Sequence, residues 1–176
     1  MNEIPETGPK ATEHAPVAED EIYTKLNLDL GTTEFFKVHR ISNTYFVFVQ
    51  NDKAQTEETH GMLAAARASA RDTGAWFLLG SIHVRVPGEE QIRNRSYLVD
   101  PSGGIVASYD KIHMFDVDLA NGESYRESRN FMPGETAVLA DLPWGRLGLT
   151  VCYDLRFPAL YRALAEAGAS FLAIPA

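Results

Sequence analysis

The sequence is short of several features that mark particular classes of protein. Only one of its 176 residues is cysteine, so no internal disulfide can form. No stretch approaches the roughly 20 consecutive apolar residues that a membrane-spanning helix needs. The acidic N-terminus also lacks the apolar segment of a secretory signal. Together these absences predict a cytoplasmic protein that does not enter a membrane.

Positive charge and metal-binding patterns are also scarce. The chain has 16 Lys and Arg against 24 Asp and Glu, a net charge of −8, and no basic run, which argues against a nucleic-acid partner. The glycines form no phosphate-binding loop. The histidines show no metal-ligand spacing, so we predict neither a metal nor a cofactor. They are His14, His39, His60, His83 and His113.

What the chain does contain is ordinary for a globular protein, with 45% apolar and 23% charged residues. Residues 1–21 are rich in Pro, Glu, Thr and Ala and are predicted to be a disordered acidic tail. Apolar periodicity predicts strands at 44–50, 75–86, 95–99, 105–109, 137–142, 145–152 and 170–175, and helices at 59–73 and 154–168. The interval 111–131 holds few aliphatic residues and is predicted to be a long loop. This mixed order predicts a layered α/β fold.

The chemistry suggested by the sequence centres on Cys152. It ends the predicted strand 145–152 and precedes a predicted helix, whose N-terminal amides would stabilise a thiolate or an oxyanion. A thiol in that position, given a base, would attack a carbonyl or nitrile carbon. A buried structural cysteine is the alternative, and it is the commoner case for a lone cysteine in an apolar strand.

Three polar residues in 111–131 are candidates to assist the thiol. Lys111 is either a solvated loop lysine or a cation that stabilises a developing oxyanion. Composition alone favours an exposed loop position for Glu127. His113 could act as the base of a Cys–His dyad, which is a third possible mechanism.

Several segments together resemble the nitrilase superfamily of carbon–nitrogen hydrolases, in the amidase branch near ω-amidase and deaminated-glutathione amidase. They are YDKIHMFD (109–116), GESYRES (122–128), PG (133–134), WGRLG (144–148) and LTVCYDLRFP (149–158). The resemblance runs from about residue 58 to residue 176. It rests on a lysine loop followed at a fixed interval by the Cys-Tyr-Asp-x-Arg-Phe turn.

The resemblance implies a fold, a reaction and a role for each residue. The fold would be part of an α-β-β-α sandwich, usually paired into a homodimer. Cys152 would be the nucleophile that forms a thioester with loss of ammonia from a small linear amide. Lys111 and the backbone N–H of Tyr153 would hold the oxyanion, and Glu127 would position the substrate and the lysine.

The family's base glutamate has no clear counterpart in this sequence. In the family it lies in a Pro-Glu-Asn-like motif after the second core strand. The nearest similar segment, residues 40–44, has Ser42 in that place, and Glu34 is an alternative. Glu57 and Glu58 lie close to the predicted helix start and are interpreted as charges of its first turn.

The ends of the chain also depart from the family. Residues 22–52 are atypical, and the family continues for several strands and helices after the position of residue 176. We therefore expect residues 22–176 to form a partial carbon–nitrogen hydrolase domain, truncated at its C-terminus. The alternative to an active amidase is an inactive fragment that acts only by association.

Overall fold

The computed structural model describes the backbone of residues 36–41, 44–49 and 54–176, and the side chains of residues 54–176. The predicted tail at 1–21 and the candidate bases Glu34 and Ser42 lie outside the described residues. Neither α-helix in this part of the chain has the length and apolar character needed to cross a bilayer.

Ten strands and two α-helices make up the regular structure of the described residues. The strands are β1 (Phe36–Ile41), β2 (Thr44–Val49), β3 (Trp76–Arg85), β4 (Ile92–Val99), β5 (Ile105–Asp110), β6 (Asp116–Asp118), β7 (Ser124–Arg126), β8 (Val138–Leu142), β9 (Gly145–Leu149) and β10 (Phe171–Ala173). The helices are α1 (Gly61–Thr73) and α2 (Pro158–Glu166).

Strands β1 to β5 form one sheet in sequence order. β2 runs parallel to β3, and the other neighbours are antiparallel. The first half of β3 is buried on both faces, as its continuous apolar run predicts. Phe77 and Leu79 enter the core on one side of the sheet, and Leu78 enters the core on the other side. This sheet therefore separates two cores.

Helix α1 covers one face of the five-stranded sheet. Its side chains Leu63, Ala66 and Ala70 recur at helical spacing, are buried, and share a core with Phe77. Complete burial of a side chain such as Leu63 contributes about 1.5–3 kcal/mol. The helix ends as predicted at Gly74, whose φ of 62° lies in the left-handed region that glycine adopts without a Cβ penalty.

A second sheet, in the order β10-β9-β8, covers the opposite face. β8 and β9 form the predicted antiparallel hairpin, and β10 pairs in parallel with β9. Leu147 and Leu149 of β9 are buried in one core with Leu78 and Leu98 of the first sheet. The two sheets therefore pack face to face.

Helix α2 forms the fourth layer, on the outer face of the second sheet. It begins at Pro158, a favourable first residue because proline has no N–H to leave unpaired. Its buried side chains Leu160 and Leu164 are one turn apart. A Cβ on Gly148 would lie 3.1 Å from Leu164 Cδ1, so glycine allows this close approach. The layer order is α-β-β-α, as the resemblance implies.

Three predictions of secondary structure were wrong. The strand predicted at 145–152 ends at Leu149, and the helix predicted at 154–168 begins at Pro158. Between them lies a 3-10 turn, Cys152–Arg156. The loop predicted at 111–131 contains the hairpin β6–β7 and a second 3-10 turn, Glu127–Arg129. Short polar elements of this kind have too few apolar positions to show a periodicity.

Candidate active site

An open cleft of about 780 Å³ lies between the two sheets, next to the ends of β5 and β9. Residues from several separate parts of the chain line it. They include Ser81, His83, Asn94, Lys111, Glu127 and Cys152. Three of the residues singled out from the sequence are therefore brought to one cavity, although up to 41 positions separate them along the chain.

Cys152 is the first residue of the 3-10 turn that follows β9. It is exposed, so the alternative of a buried structural cysteine is wrong. Its φ is +48°, and within the described part of the chain no other non-glycine residue has a positive φ. Such a conformation costs about 1–3 kcal/mol and persists only where the surroundings impose it. Its backbone N–H donates to the Pro175 carbonyl at 2.7 Å, which fixes the turn against the chain beyond β10.

Lys111 directly follows β5 and is 3% exposed, so it is not the solvated loop lysine of the alternative interpretation. Its backbone is held at both ends. The N–H donates to the Asn94 carbonyl at 2.9 Å, and the carbonyl accepts from the Gly134 N–H at 2.8 Å. A Cβ on Gly134 would lie only 2.3 Å from the carbonyl oxygen of Asp110, so only glycine fits this close approach.

Glu127 is the partner of Lys111. Its Oε1 and Oε2 accept from Lys111 Nζ at 2.8 and 2.6 Å, and Oε2 also accepts from the Phe115 N–H at 2.6 Å. The glutamate side chain is 15% exposed, so the exposed position that composition favoured was wrong. A buried ammonium is strongly destabilising unless it is paired, which makes this carboxylate the compensating charge for Lys111.

The hairpin β6–β7 delivers Glu127 to the cleft. Asp118 accepts from Arg126 and Ser124 across the hairpin. Asp116 accepts from the backbone N–H and the hydroxyl of Ser128, which ties the start of the hairpin to the turn that begins at Glu127. The Ser128 hydroxyl and N–H hold the pKa of Asp116 below its ordinary value of 3.8.

Asp154 has a part in this site that sequence reasoning missed. Its carboxylate is fully buried and accepts from the Tyr109 hydroxyl at 2.7 Å, the Val151 N–H at 2.9 Å and the His113 N–H at 3.0 Å. It also faces His113 Nδ1 at 2.7 Å, so the proton is assigned to Nδ1. The sequence signal was the position of Asp154, at the third residue of a turn, where a carboxylate caps the free amides.

Burial, followed by the hydrogen bond to Asp154, raises the pKa of the Tyr109 hydroxyl. That hydroxyl is therefore a donor throughout the physiological pH range. The His113 ring stacks on Phe157 with centroids 3.6 Å apart. Since His113 is held between Phe157 and Asp154 and does not line the cleft, its geometry gives no support to the Cys–His dyad.

Tyr153 follows Cys152 in the turn, and its ring packs edge-on against Phe115 and Phe157. Its backbone N–H donates to no group among the described residues. The first amides of a helical turn have no partner within the turn, which accounts for this unpaired N–H next to the cleft residue Cys152.

The base glutamate that the resemblance implies is absent from the described residues that line the cleft. Glu127 is the only carboxylate among the described residues that line the cleft. The helix α1 begins at Gly61, so the prediction that Glu57 and Glu58 belong to its first turn was wrong. Glu57 instead accepts from the Tyr97 hydroxyl at 3.0 Å, on the α1 side of the sheet.

The direction of β2 indicates where such a base would have to lie. β2 is parallel to β3 with Phe48 opposite Gly80, so its end reaches the sheet edge that carries the cleft residue Ser81. Its start, Thr44, lies opposite Trp76, about 13 Å back along the strand. The end of β1 and the start of β2 are therefore distant from the cleft edge, whereas the start of β1, with Phe36 opposite Val49, lies at that edge.

Comparison with known proteins agrees with this geometry. The family model described as carbon-nitrogen hydrolase matches residues 41–175. The deaminated glutathione amidase of Yersinia enterocolitica is 47% identical over 112 residues, which are 62% of this chain and 39% of that protein. The human deaminated glutathione amidase is 39% identical over 139 residues, 74% of this chain and 42% of that protein.

Solved structures with the same fold include the C. elegans NitFhit protein, with 33% identity and a TM-score of 0.60. That match covers 64% of this chain and 28% of the other. An amidase from Nesterenkonia sp. has 30% identity and a TM-score of 0.54, over 65% of this chain and 40% of the other. The chain spans between 36% and 51% of the length of the curated relatives it matches.

Proposed function

Because the chain belongs to the carbon–nitrogen hydrolase family, we propose that it hydrolyses the amide bond of a small linear amide through a cysteine thioester. The observation that carries this proposal is the buried Lys111–Glu127 pair in the same cleft as the exposed thiol of Cys152. A cation that is buried, paired and aimed into an open cavity has no obvious structural use, whereas an amide hydrolase needs one for its oxyanion.

The proposed reaction begins when Sγ of Cys152 adds to the amide carbonyl carbon. Negative charge develops on the carbonyl oxygen, where Lys111 Nζ and the free N–H of Tyr153 stabilise it. The C–N bond then breaks, and the nitrogen leaves as ammonia after it takes up the proton of the thiol. Water attacks the thioester, releases the carboxylic acid and restores the thiol.

Glu127 acts through Lys111 in this scheme. The carboxylate orients the ammonium by two hydrogen bonds and is the opposite charge that compensates its burial. It is already engaged by Lys111 and by the Phe115 N–H, so transfer of the thiol proton is the task of a separate base glutamate, as the resemblance implies.

The substrate class is proposed from the relatives. Several relatives are named deaminated glutathione amidase. In the structure of a Nesterenkonia amidase variant, the acetamide moiety of fluoroacetamide is covalently added at the active-site cysteine. A suitable panel is therefore deaminated glutathione, glutaramate, succinamate and the simple amides acetamide and butyramide.

Release of ammonia from each amide tests the proposal, with Cys152→Ala as the matched variant. We expect turnover of at least one amide by the wild-type chain and none by Cys152→Ala. Because Cys152 is the single cysteine, the loss of labelling by iodoacetamide in the same variant verifies which thiol reacts. Turnover that survives in Cys152→Ala would refute the thioester route.

The inactive fragment is the less favoured alternative, since an intact cleft with a buried, paired lysine is unnecessary for association alone. It predicts no ammonia release from any amide and an iodoacetamide reaction no faster than that of a free thiol. Two further expectations remain proposals: assembly as a homodimer, which light scattering would measure, and a location in the cytoplasm, where a free thiol stays reduced.

A further inference from the structure

We propose that Asp154 is a positioning residue that couples the turn of Cys152 to the segment of Lys111, an inference that rests on the function proposed above. The two groups come from different sheets, Cys152 from the end of β9 and Lys111 from the end of β5. Their reaction with one carbonyl group requires that the distance between them be fixed. A single buried carboxylate links the two segments.

The hydrogen bonds of Asp154 divide into two groups. On the Lys111 side, Oδ2 accepts from the Tyr109 hydroxyl and Oδ1 contacts both the N–H and Nδ1 of His113. These two residues lie two positions before and two positions after Lys111, so they hold the lysine from both directions. On the Cys152 side, Oδ2 accepts from the N–H of Val151, the residue that precedes the nucleophile.

Burial makes this arrangement stiff. Asp154 is 0% exposed, so water does not compete for its oxygens. Its hydrogen-bond partner His113 has a ring that stacks on Phe157 at 3.6 Å, which holds that partner in place. The Val151 bond also holds the start of the turn in which Cys152 has its positive φ. Loss of the carboxylate would release the turn and the lysine segment together.

Asp154 is not among the residues that line the cleft, so its carboxylate oxygens do not face the substrate site. Asp154 therefore acts through other residues rather than on the substrate. This predicts a particular kinetic pattern: kcat falls because the reacting groups are misplaced, while KM, which reports on contacts with the substrate, stays nearly constant.

The test is a double-mutant cycle between Asp154→Asn and Lys111→Ala, measured as ammonia release from the best amide of the panel. We expect Asp154→Asn to lower kcat about 100-fold, the cost of displacing reacting groups by roughly 1 Å. KM should change by less than about twofold. In the Lys111→Ala background the same substitution should lower kcat only about 10-fold, because the lysine is already absent and only the turn of Cys152 remains to be displaced.

A merely structural role would give fully additive losses in the cycle, and that result would overturn the proposal. So would a wild-type kcat in Asp154→Asn. The matched control is Asp141→Asn, which removes an exposed carboxylate of β8 that pairs with Arg146 of β9 and should leave kcat unchanged.

A second measurement does not depend on turnover or on the folding of Asp154→Asn. His113→Ala removes the ring contact on the Lys111 side and leaves the carboxylate in place. We expect amide hydrogen exchange at Val151, on the Cys152 side, to become at least about tenfold faster. Exchange at Val151 equal to wild type would overturn the coupling. If the wild-type chain hydrolyses no amide, the proposed function has failed, and the Val151 exchange rate still decides whether Asp154 couples the two segments.

Discussion

Removal of the Glu127 carboxylate should damage this protein more than removal of the lysine that it neutralises. Lys111 is 3% exposed, and Glu127→Ala removes both hydrogen bonds of its ammonium. A buried charge that loses its partner costs about 3–5 kcal/mol. Since Glu127 itself is 15% exposed, some water can replace it, and we expect a loss near the lower limit, about 3 kcal/mol.

Removal of the lysine should lower the free energy of unfolding less than removal of the glutamate. Lys111→Met keeps an unbranched chain of similar length and removes the buried charge. Glu127 then retains the Phe115 N–H and its partial exposure to water. We therefore expect Lys111→Met to lose at least about 1.5 kcal/mol less than Glu127→Ala, and the double variant Lys111→Met/Glu127→Gln to approach wild-type stability.

Urea unfolding followed by tryptophan fluorescence measures these differences. Trp76 and Trp144 lie edge to face, 6.3 Å apart, at the core between the sheets, so their emission reports on its disruption. The control Glu135→Ala removes an exposed carboxylate and should change the free energy of unfolding by less than about 0.5 kcal/mol. All the variants that lack Lys111 or Glu127 should lose about 100- to 1,000-fold in kcat, whatever their stability.

The reasoning is refuted if Glu127→Ala is no less stable than the Glu135 control. It is equally refuted if Lys111→Met is as unstable as Glu127→Ala. Either result would mean that Lys111 finds water or another acceptor in the cleft, and that the glutamate is dispensable as a compensating charge.

Three further predictions concern the supports of the site. Gly134→Ala should cost about 1–3 kcal/mol in urea unfolding, because the new Cβ would lie 2.3 Å from a carbonyl oxygen at the end of β5. Ser128 lowers the pKa of Asp116 in the folded state, so its contribution to stability is present above the ordinary value of 3.8 and is lost as the pH falls through the lowered pKa. The melting temperature of Asp116→Asn should consequently fall less between pH 7 and pH 3 than that of wild type. Because β2 ends at the cleft edge, Val49→Glu, at the end of this strand, should raise kcat for amides roughly 100-fold, whereas Thr44→Glu, at its start, should give no gain; equal effects of the two substitutions would contradict the topological argument.

The layers of this fold were predictable because they depend on long apolar patterns. The helix that ends at Gly74, the buried strand after it and the hairpin of β8 and β9 each contain enough apolar positions to show a period. The hairpin β6–β7 has only three residues in each strand and is held by Asp118 and Arg126. Asn121-Gly122 at its tip was the one local signal, a dipeptide typical of tight hairpins, and it was interpreted as part of a loop.

The site was predictable in its members but only partly in its geometry. Cys152, Lys111 and Glu127 share one cleft, as their motifs imply. The expected strand-to-helix junction at Cys152 was wrong because the turn there depends on a carboxylate that also binds a segment 41 positions away. Asp154 closes the turn through Val151 and also binds His113. Because these two partners lie far apart in the sequence, no local sequence window contains both of them. The same reason explains why Asp154 looks like a simple turn residue in the sequence. Its burial, and hence its value to the site, arises only when the two sheets come together.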